Sequence, residues 1–132
     1  MRLTLQDKRK KKLGIGRFFK SFTYNYEGLK YALLNEQSIL VQLVFAIFVI
    51  ICGFIFKLNK YEWIIIIILI GLVLAFEFIN TAIEATVDLI TIDKHPLAKI
   101  AKDTASTAVG IIALISAIVG LIIFLPKILL LF

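Results

Sequence analysis

The sequence predicts an all-α integral membrane protein, with three transmembrane helices preceded by an amphipathic helix in the membrane interface. Three observations predict it. Hydrophobic residues make up 61% of the 132 positions and charged residues 18%, with a mean hydropathy of +0.97. A soluble chain this short could not cover so much apolar surface with so few charges. The apolar residues are also gathered into three runs, each near the length that crosses a hydrocarbon core of about 30 Å. Ahead of them lies a segment too polar to cross, whose apolar residues recur at helical spacing. At this length one membrane-embedded domain, residues 1–132, is expected.

The N-terminal part, residues 1–35, reads as a basic tail and the surface helix. Residues 1–30 hold nine Lys or Arg against Asp7 and Glu27, a local balance of +7, whereas the remainder sums to −1. The run "KRKKK", residues 8–12, leads into an aromatic, mixed segment and not into the short apolar core of a cleaved signal peptide. A basic cluster beside membrane spans is better explained by anionic lipid on the cytoplasmic side than by nucleic acid. In "GRFFKSFTYNYEGLKYALLNE", Phe18, Phe22, Tyr26, Leu29 and Leu33 form one face. Arg17, Ser21, Tyr24, Gly28, Tyr31 and Asn35 form the opposite one. That is the pattern of a helix lying in the interface, and its polar face, leading to Glu36, could also line a site.

The spans follow. The first covers about residues 39–56, with Gln42 its one strongly polar member. "KLNKYEW" is a short loop with interfacial Tyr and Trp. The second runs from Trp63 to about Ile90, and the third from about Thr104 to Leu125, closed by Pro126. Between the last two, "TIDKHPLAKIAKD" carries Lys94, Lys99 and Lys102, against only Lys57 and Lys60 in the other loop. With the basic N-terminus, this asymmetry predicts the N-terminus and the second loop on the cytoplasmic side. In the third span Ser106, Gly110, Ala113, Ala117 and Gly120 share a narrow stripe, which suits close helix packing within the chain or between copies. Lone Cys52 supplies neither a disulfide within the chain nor a metal-ligand spacing.

The second span carries the chemistry. In "EFINTAIEATVD", residues 77–88, Asn80, Thr81, Glu84 and Asp88 all lie within about 60° of Glu77 around a helix axis. A charged residue at mid-bilayer costs roughly 2.5 to 3.5 kcal/mol, and the ten Ile, Leu and Val of residues 64–74 offset only about 3 to 6 kcal/mol. Three carboxylates facing lipid would be expelled. They must therefore lie near the cytoplasmic end, face protein or water, or hold cations. A polar seam that merely sets helix register is the plainer reading, but intramembrane acids mark function by default. A proton-coupled transporter and a metal-dependent phosphoryl-transfer enzyme are both compatible with the stripe. The basic loop favours the enzyme: cytoplasmic lysines suit ATP phosphates, and carboxylates suit Mg²⁺ shared with phosphate oxygens. No Walker pattern is present, and "GIG", residues 14–16, is too short to cradle phosphate. His95, the one histidine, reads as a loop residue that can cap a short helix at Pro96.

"EFINTAIEATVD" followed by "HPLAKIAKD" closely resembles the prokaryotic diacylglycerol kinase family, small membrane lipid kinases unrelated in fold to soluble kinases. The resemblance extends from "RFFKSFTYNYEGLKYALLNE" to "IIFLPK", and the pattern E-x-x-N-[ST]-A-x-E-x-x-x-D is its most specific part. It implies a homotrimer with active sites shared between subunits, and direct transfer of the ATP γ-phosphoryl group to a lipid hydroxyl. By motif position Glu77 is the implied general base, with Asn80 beside it. Glu36 and Glu84 are the implied Mg²⁺-binding carboxylates and also part of the nucleotide site. Arg17, Tyr24, Lys102, Asp103 and the loop of Asp93, Lys94 and His95 match nucleotide-contacting positions, and Asp88 a supporting one. One branch of the family phosphorylates diacylglycerol, the other undecaprenol. "HPLAKIAKD" and "GLIIFLPK" resemble the undecaprenol branch of Gram-positive bacteria. Tyr26 and Lys30 stand where the other branch often has Trp and Arg. Gln37 and Ser38 depart from the more basic segment common in the undecaprenol branch, and Lys94 replaces a usual aromatic. The implied location is a bacterial cell membrane.

Overall fold

The computed structural model describes residues 14–132, so the basic run 8–12 lies outside the described residues. Four helices follow in order: α1 (Ile15–Asn35), α2 (Gln37–Ile55), α3 (Lys60–Ile90) and α4 (Pro96–Leu129). The described residues form two compact units, one ending at Tyr31 and the other Ala32–Phe132. In the first, Ser21 Oγ donates to the Arg17 carbonyl at 3.1 Å, and Phe18 and Phe22, one turn apart, meet edge to face at 5.3 Å. In the second, α2, α3 and α4 are each long and apolar enough to cross a membrane.

The turn between α2 and α3 is built from local rules. Lys57 adopts φ 51°, the left-handed conformation that ends many helices. The Leu58 amide then reaches back to the Gly53 carbonyl at 3.0 Å. Asn59 caps α3 by accepting from the Tyr61 and Glu62 amides, while the Asn59 amide donates to the Glu62 carboxylate at 2.8 Å. Just beyond it, Leu58, Ile66 and Ile123 form a small core with Trp63 and Phe124 packed on it. Phe54 lies 4.9 Å from Trp63, and Phe56 lies 6.0 Å from Phe124, ring centre to ring centre.

α3 and α4 pack as an antiparallel pair whose register agrees at both ends. Glu62 pairs with Lys127 at 3.1 Å, and Asp88 with Lys102 at 2.6 Å. These residues lie twenty-six apart on α3 and twenty-five apart on α4, so the helices run together without slippage. At 1.5 Å per residue α3 is about 46 Å long and α4 about 51 Å, well beyond a hydrocarbon core of about 30 Å.

Two sequence expectations are corrected here. The third helix begins at Pro96 and not near Thr104, so only five residues, Thr91 to His95, separate it from α3. Pro96 sits at the first helical position, where its missing N–H costs nothing, and His95 Nδ1 accepts from the Leu97 amide at 3.2 Å. The helix that His95 caps is thus the span itself. Hydropathy finds where a chain crosses; Lys99, Lys102 and Asp103 are polar but belong to the same helix. Pro126 does not close it either: α4 continues through Leu129. Proline removes one donor yet keeps its carbonyl, which accepts from the Leu130 amide at 3.2 Å, so the final turn survives. Among the described residues the small-residue stripe makes no close helix contact. Ser106, Gly110, Ala113 and Ala117 are exposed, and a Cβ added at Gly110 or Gly120 would meet nothing within 4 Å.

Gly53 is where absence of a side chain is required. A Cβ there would sit 2.7 and 2.9 Å from two Trp63 ring carbons and 3.2 Å from Leu58. Gly53→Ala gains up to about 1 kcal/mol of helix propensity, but displacing a packed ring costs about 1–3 kcal/mol. We expect a net loss of up to about 2 kcal/mol, read by detergent-denaturant titration with Trp63, the single tryptophan, as the fluorescent reporter.

Candidate active site

The polar stripe of α3 is present as a continuous helical face, and its members differ in surroundings. Glu77 is buried, with 4% of its surface exposed, and its Oε2 accepts from Gln42 Nε2 of α2 at 2.9 Å. One turn on, Asn80 Nδ2 donates to Glu84 Oε1 at 3.3 Å, and Thr81 is buried beside them. Asp88, a turn further, is exposed and bridges to Lys102 of α4. About 30 Å of hydrocarbon measured from Trp63 along α3 ends near Glu84. Of the three carboxylates, Glu77 directly follows the apolar run of α3 and is held by α2, whereas Asp88 is held by α4.

Beyond the stripe, an open concavity of about 700 Å³ is lined by Asp88, Asp93, Lys94, His95, Lys102 and Asp103, together with Lys99. It thus brings together the five loop and α4 residues expected to meet nucleotide, and Asp88. The floor is made by the end of α3 and the first turns of α4, so the early start of α4 is what gathers these side chains. Lys99 pairs with Asp103 at 2.5 Å and Lys102 with Asp88. Both pairs are solvent-accessible, and exposed pairs are weak and readily exchanged. The lysines are held in place yet can trade a carboxylate for a phosphate oxygen.

Glu36, the residue between α1 and α2, is half-buried in extended conformation (φ −112°, ψ 105°), and its side chain makes no cap hydrogen bond. The Gln42–Glu77 bond sets its level relative to Glu84. Glu36 lies six residues before Gln42 and Glu84 seven after Glu77, about 9 and 10.5 Å along antiparallel axes toward the same end. Arg17 and Tyr24 stand at exposed positions of α1, in the unit ending at Tyr31.

A divalent cation fits this donor set in one particular way. Among the described residues no group of three His, Cys, Asp or Glu side chains could cage a metal. Asn80 Oδ1, however, is buried without a donor beside Glu84. Such an oxygen beside a carboxylate suits a hard cation that keeps few protein ligands and arrives with phosphate oxygens and water. Sequence reasoning placed Thr81 on the polar stripe and Lys99 among the cytoplasmic lysines that suit ATP phosphates, but gave Gln42 no role. Gln42 had a signal, since it is the one strongly polar side chain in an apolar span.

Comparisons with known proteins identify the family. The family model described as prokaryotic diacylglycerol kinase matches residues 23–124. Undecaprenol kinase of Bacillus subtilis is 50% identical over 113 residues, covering 86% of this chain and 92% of that protein. A diacylglycerol kinase of Helicobacter pylori is 37% identical over 95 residues, 72% of this chain and 74% of its own. That of Escherichia coli K12 is 32% identical over 106 residues, 80% and 86%. Together with three apolar helices long enough to cross, these matches define a lipid kinase, a membrane-embedded phosphotransferase. The chain belongs to the prokaryotic diacylglycerol kinase family. Membership decides between the two classes left open by the stripe, in favour of the kinase over the transporter.

Because the Asp88–Lys102 pair is exposed, it orients Lys102 more than it stabilises the fold. Asp88→Asn should leave the thermal unfolding midpoint essentially unchanged, by circular dichroism in detergent, while Lys102→Ala should raise the KM for ATP several-fold. A large drop in midpoint for Asp88→Asn would mean that the bridge is desolvated and structural.

Proposed function

We propose that the protein transfers the γ-phosphoryl group of ATP to the hydroxyl of undecaprenol, giving undecaprenyl phosphate and ADP. The observation that carries the reaction is the buried, hydrogen-bonded Glu77 on the helix face that leads to the lysine-lined concavity. The choice of lipid is supported by the 50% identity to the Bacillus subtilis enzyme, against 37% or less for the diacylglycerol kinases compared.

In this reading ATP enters from the cytoplasm and seats its phosphates in the concavity, against Lys94 and Lys102, with Asp93, His95 and Asp103 around it. Arg17 and Tyr24 of α1 match nucleotide-contacting positions of the family and would also contact ATP. The lipid hydroxyl approaches Glu77 from the hydrocarbon side. Its oxygen forms a bond to the γ-phosphorus as the bridging bond to ADP breaks, and the hydroxyl proton passes to the Glu77 carboxylate. A carboxylate is too weak a base to ionise a free alcohol, so positioning and charge stabilisation carry most of the step. Asn80 orients the neighbourhood of Glu77, and Asp88 supports Lys102. Glu36 and Glu84 would hold Mg²⁺, which when bound would neutralise charge on the phosphate oxygens.

The same reading has α1 lying in the interface, its Phe18 and Phe22 face in lipid, with the N-terminus cytoplasmic in a bacterial cell membrane. It has three chains forming a homotrimer with shared sites. The exposed small-residue stripe of α4 supports a helix–helix contact between copies.

Purified protein given ATP, Mg²⁺ and either undecaprenol or diacylglycerol should label undecaprenol at the higher kcat/KM. Equal or better labelling of diacylglycerol would reverse the choice of lipid, and no labelling of either would end the kinase reading. Within the site, Glu77→Gln should lower kcat by roughly 100-fold or more with little change in Mg-ATP affinity. Glu84→Gln should instead weaken Mg-ATP binding itself. Full turnover by Glu77→Gln would overturn its assignment as the base.

A further inference from the structure

Gln42 is costly where it stands. An amide in an apolar span carries two donors and an acceptor that lipid cannot satisfy, and an apolar side chain would be cheaper. Here its Nε2 donates to Glu77 Oε2 at 2.9 Å, while its own Oε1 is buried without a donor among the described residues. The amide is thus half-satisfied, and the half that is satisfied goes to one atom of the implied base. Among the described residues, Asn80 and Thr81 on the same helix face also carry buried polar atoms. Asn80 Nδ2 is turned toward Glu84, and Thr81 Oγ1 has no partner among the described residues. Gln42 is therefore the group from another helix that holds the Glu77 carboxylate.

We propose that Gln42 is the positioning residue of Glu77. It rests on the reading of Glu77 as base and deepens it. A glutamate on a helix swings about three side-chain torsions, and a bond from α2 to Oε2 removes that freedom. It leaves Oε1 as the atom that accepts the hydroxyl proton. A glutamine suits this task better than a cation, because it donates a hydrogen bond without cancelling the negative charge that must receive the proton. It also serves both states of the step. Before transfer Nε2–H donates to the carboxylate. After transfer the proton sits on Glu77 Oε1, and Nε2–H still donates to Oε2, which remains an acceptor. The α2–α3 contact thereby acts on catalysis through a single side chain, without touching nucleotide.

Gln42→Met tests this, because methionine keeps the length and volume of the side chain in a span that favours apolar residues. In detergent–lipid mixed micelles kcat should fall about 10- to 100-fold, the size of effect that misplacing a reacting group by about 1 Å produces. The KM for Mg-ATP should stay within about twofold of the unsubstituted protein. Gln42→Leu should behave alike, and Trp63 fluorescence should confirm that both fold. A spectroscopic arm is independent of turnover: the infrared carboxylate band that disappears in Glu77→Gln should shift in Gln42→Met. An unchanged kcat, an unshifted band, or an effect confined to the KM for Mg-ATP would each overturn the proposal. The two failures are distinguishable. Full turnover by Glu77→Gln ends the base reading, whereas an inactive Glu77→Gln beside a fully active Gln42→Met ends only this inference.

Discussion

The rest of the structure depends on how one buried carboxylate is held between apolar helices. Glu77 is buried at the end of the apolar run of α3, where a carboxylate needs a hydrogen-bond partner from the protein. The hydrogen bond from Gln42 is the contact that answers this, and it does so by tying α2 to α3 at the level of the chemistry. Everything toward the concavity can be more polar because it lies beyond the apolar core of the spans. Glu84, Asp88 and the lysines of α4 need no such protection.

The length of α3 and α4 makes that gradient possible. Each exceeds the hydrocarbon thickness by several turns, and the surplus lies at the end where the polar residues are concentrated. The opposite end is where the packed core sits, around Leu58, Ile66 and Ile123, with Trp63 wedged against Gly53. One end of the bundle is thus built for rigidity and the other for exchange. The in-register ion pairs at Glu62–Lys127 and Asp88–Lys102 join the two, so that packing at the first end places side chains at the second. This division explains why weak, accessible lysine–carboxylate pairs line the concavity. A lysine that is to bind phosphate, as proposed for Lys102, must be oriented before the ligand arrives and released to it afterwards.

Much of the site was legible because it is local. Glu77, Asn80, Thr81, Glu84 and Asp88 fall on one face by helical periodicity alone, and no tertiary information is needed to see it. The motif through Asp103 carried the family, which the comparisons then established over residues 23–124. What could not be read was anything that depends on two helices meeting. Gln42 was visible as an oddity in an apolar span, but nothing in its spacing names Glu77, thirty-five residues away, as its partner. Lys99 joined the concavity only because Pro96 and His95 start α4 so early.

By itself, then, the sequence determined the number of spans, the polar face of α3 and the basic character of the segment that follows it. These are consequences of composition and of the 3.6-residue repeat, both of which act within one helix. Tertiary structure decided the register of α3 against α4, the hold of Gln42 on Glu77, and the gathering of the lysines around one concavity. It decided them because side chains on separate helices meet only where packing sets the helix axes, and no local rule carries that information.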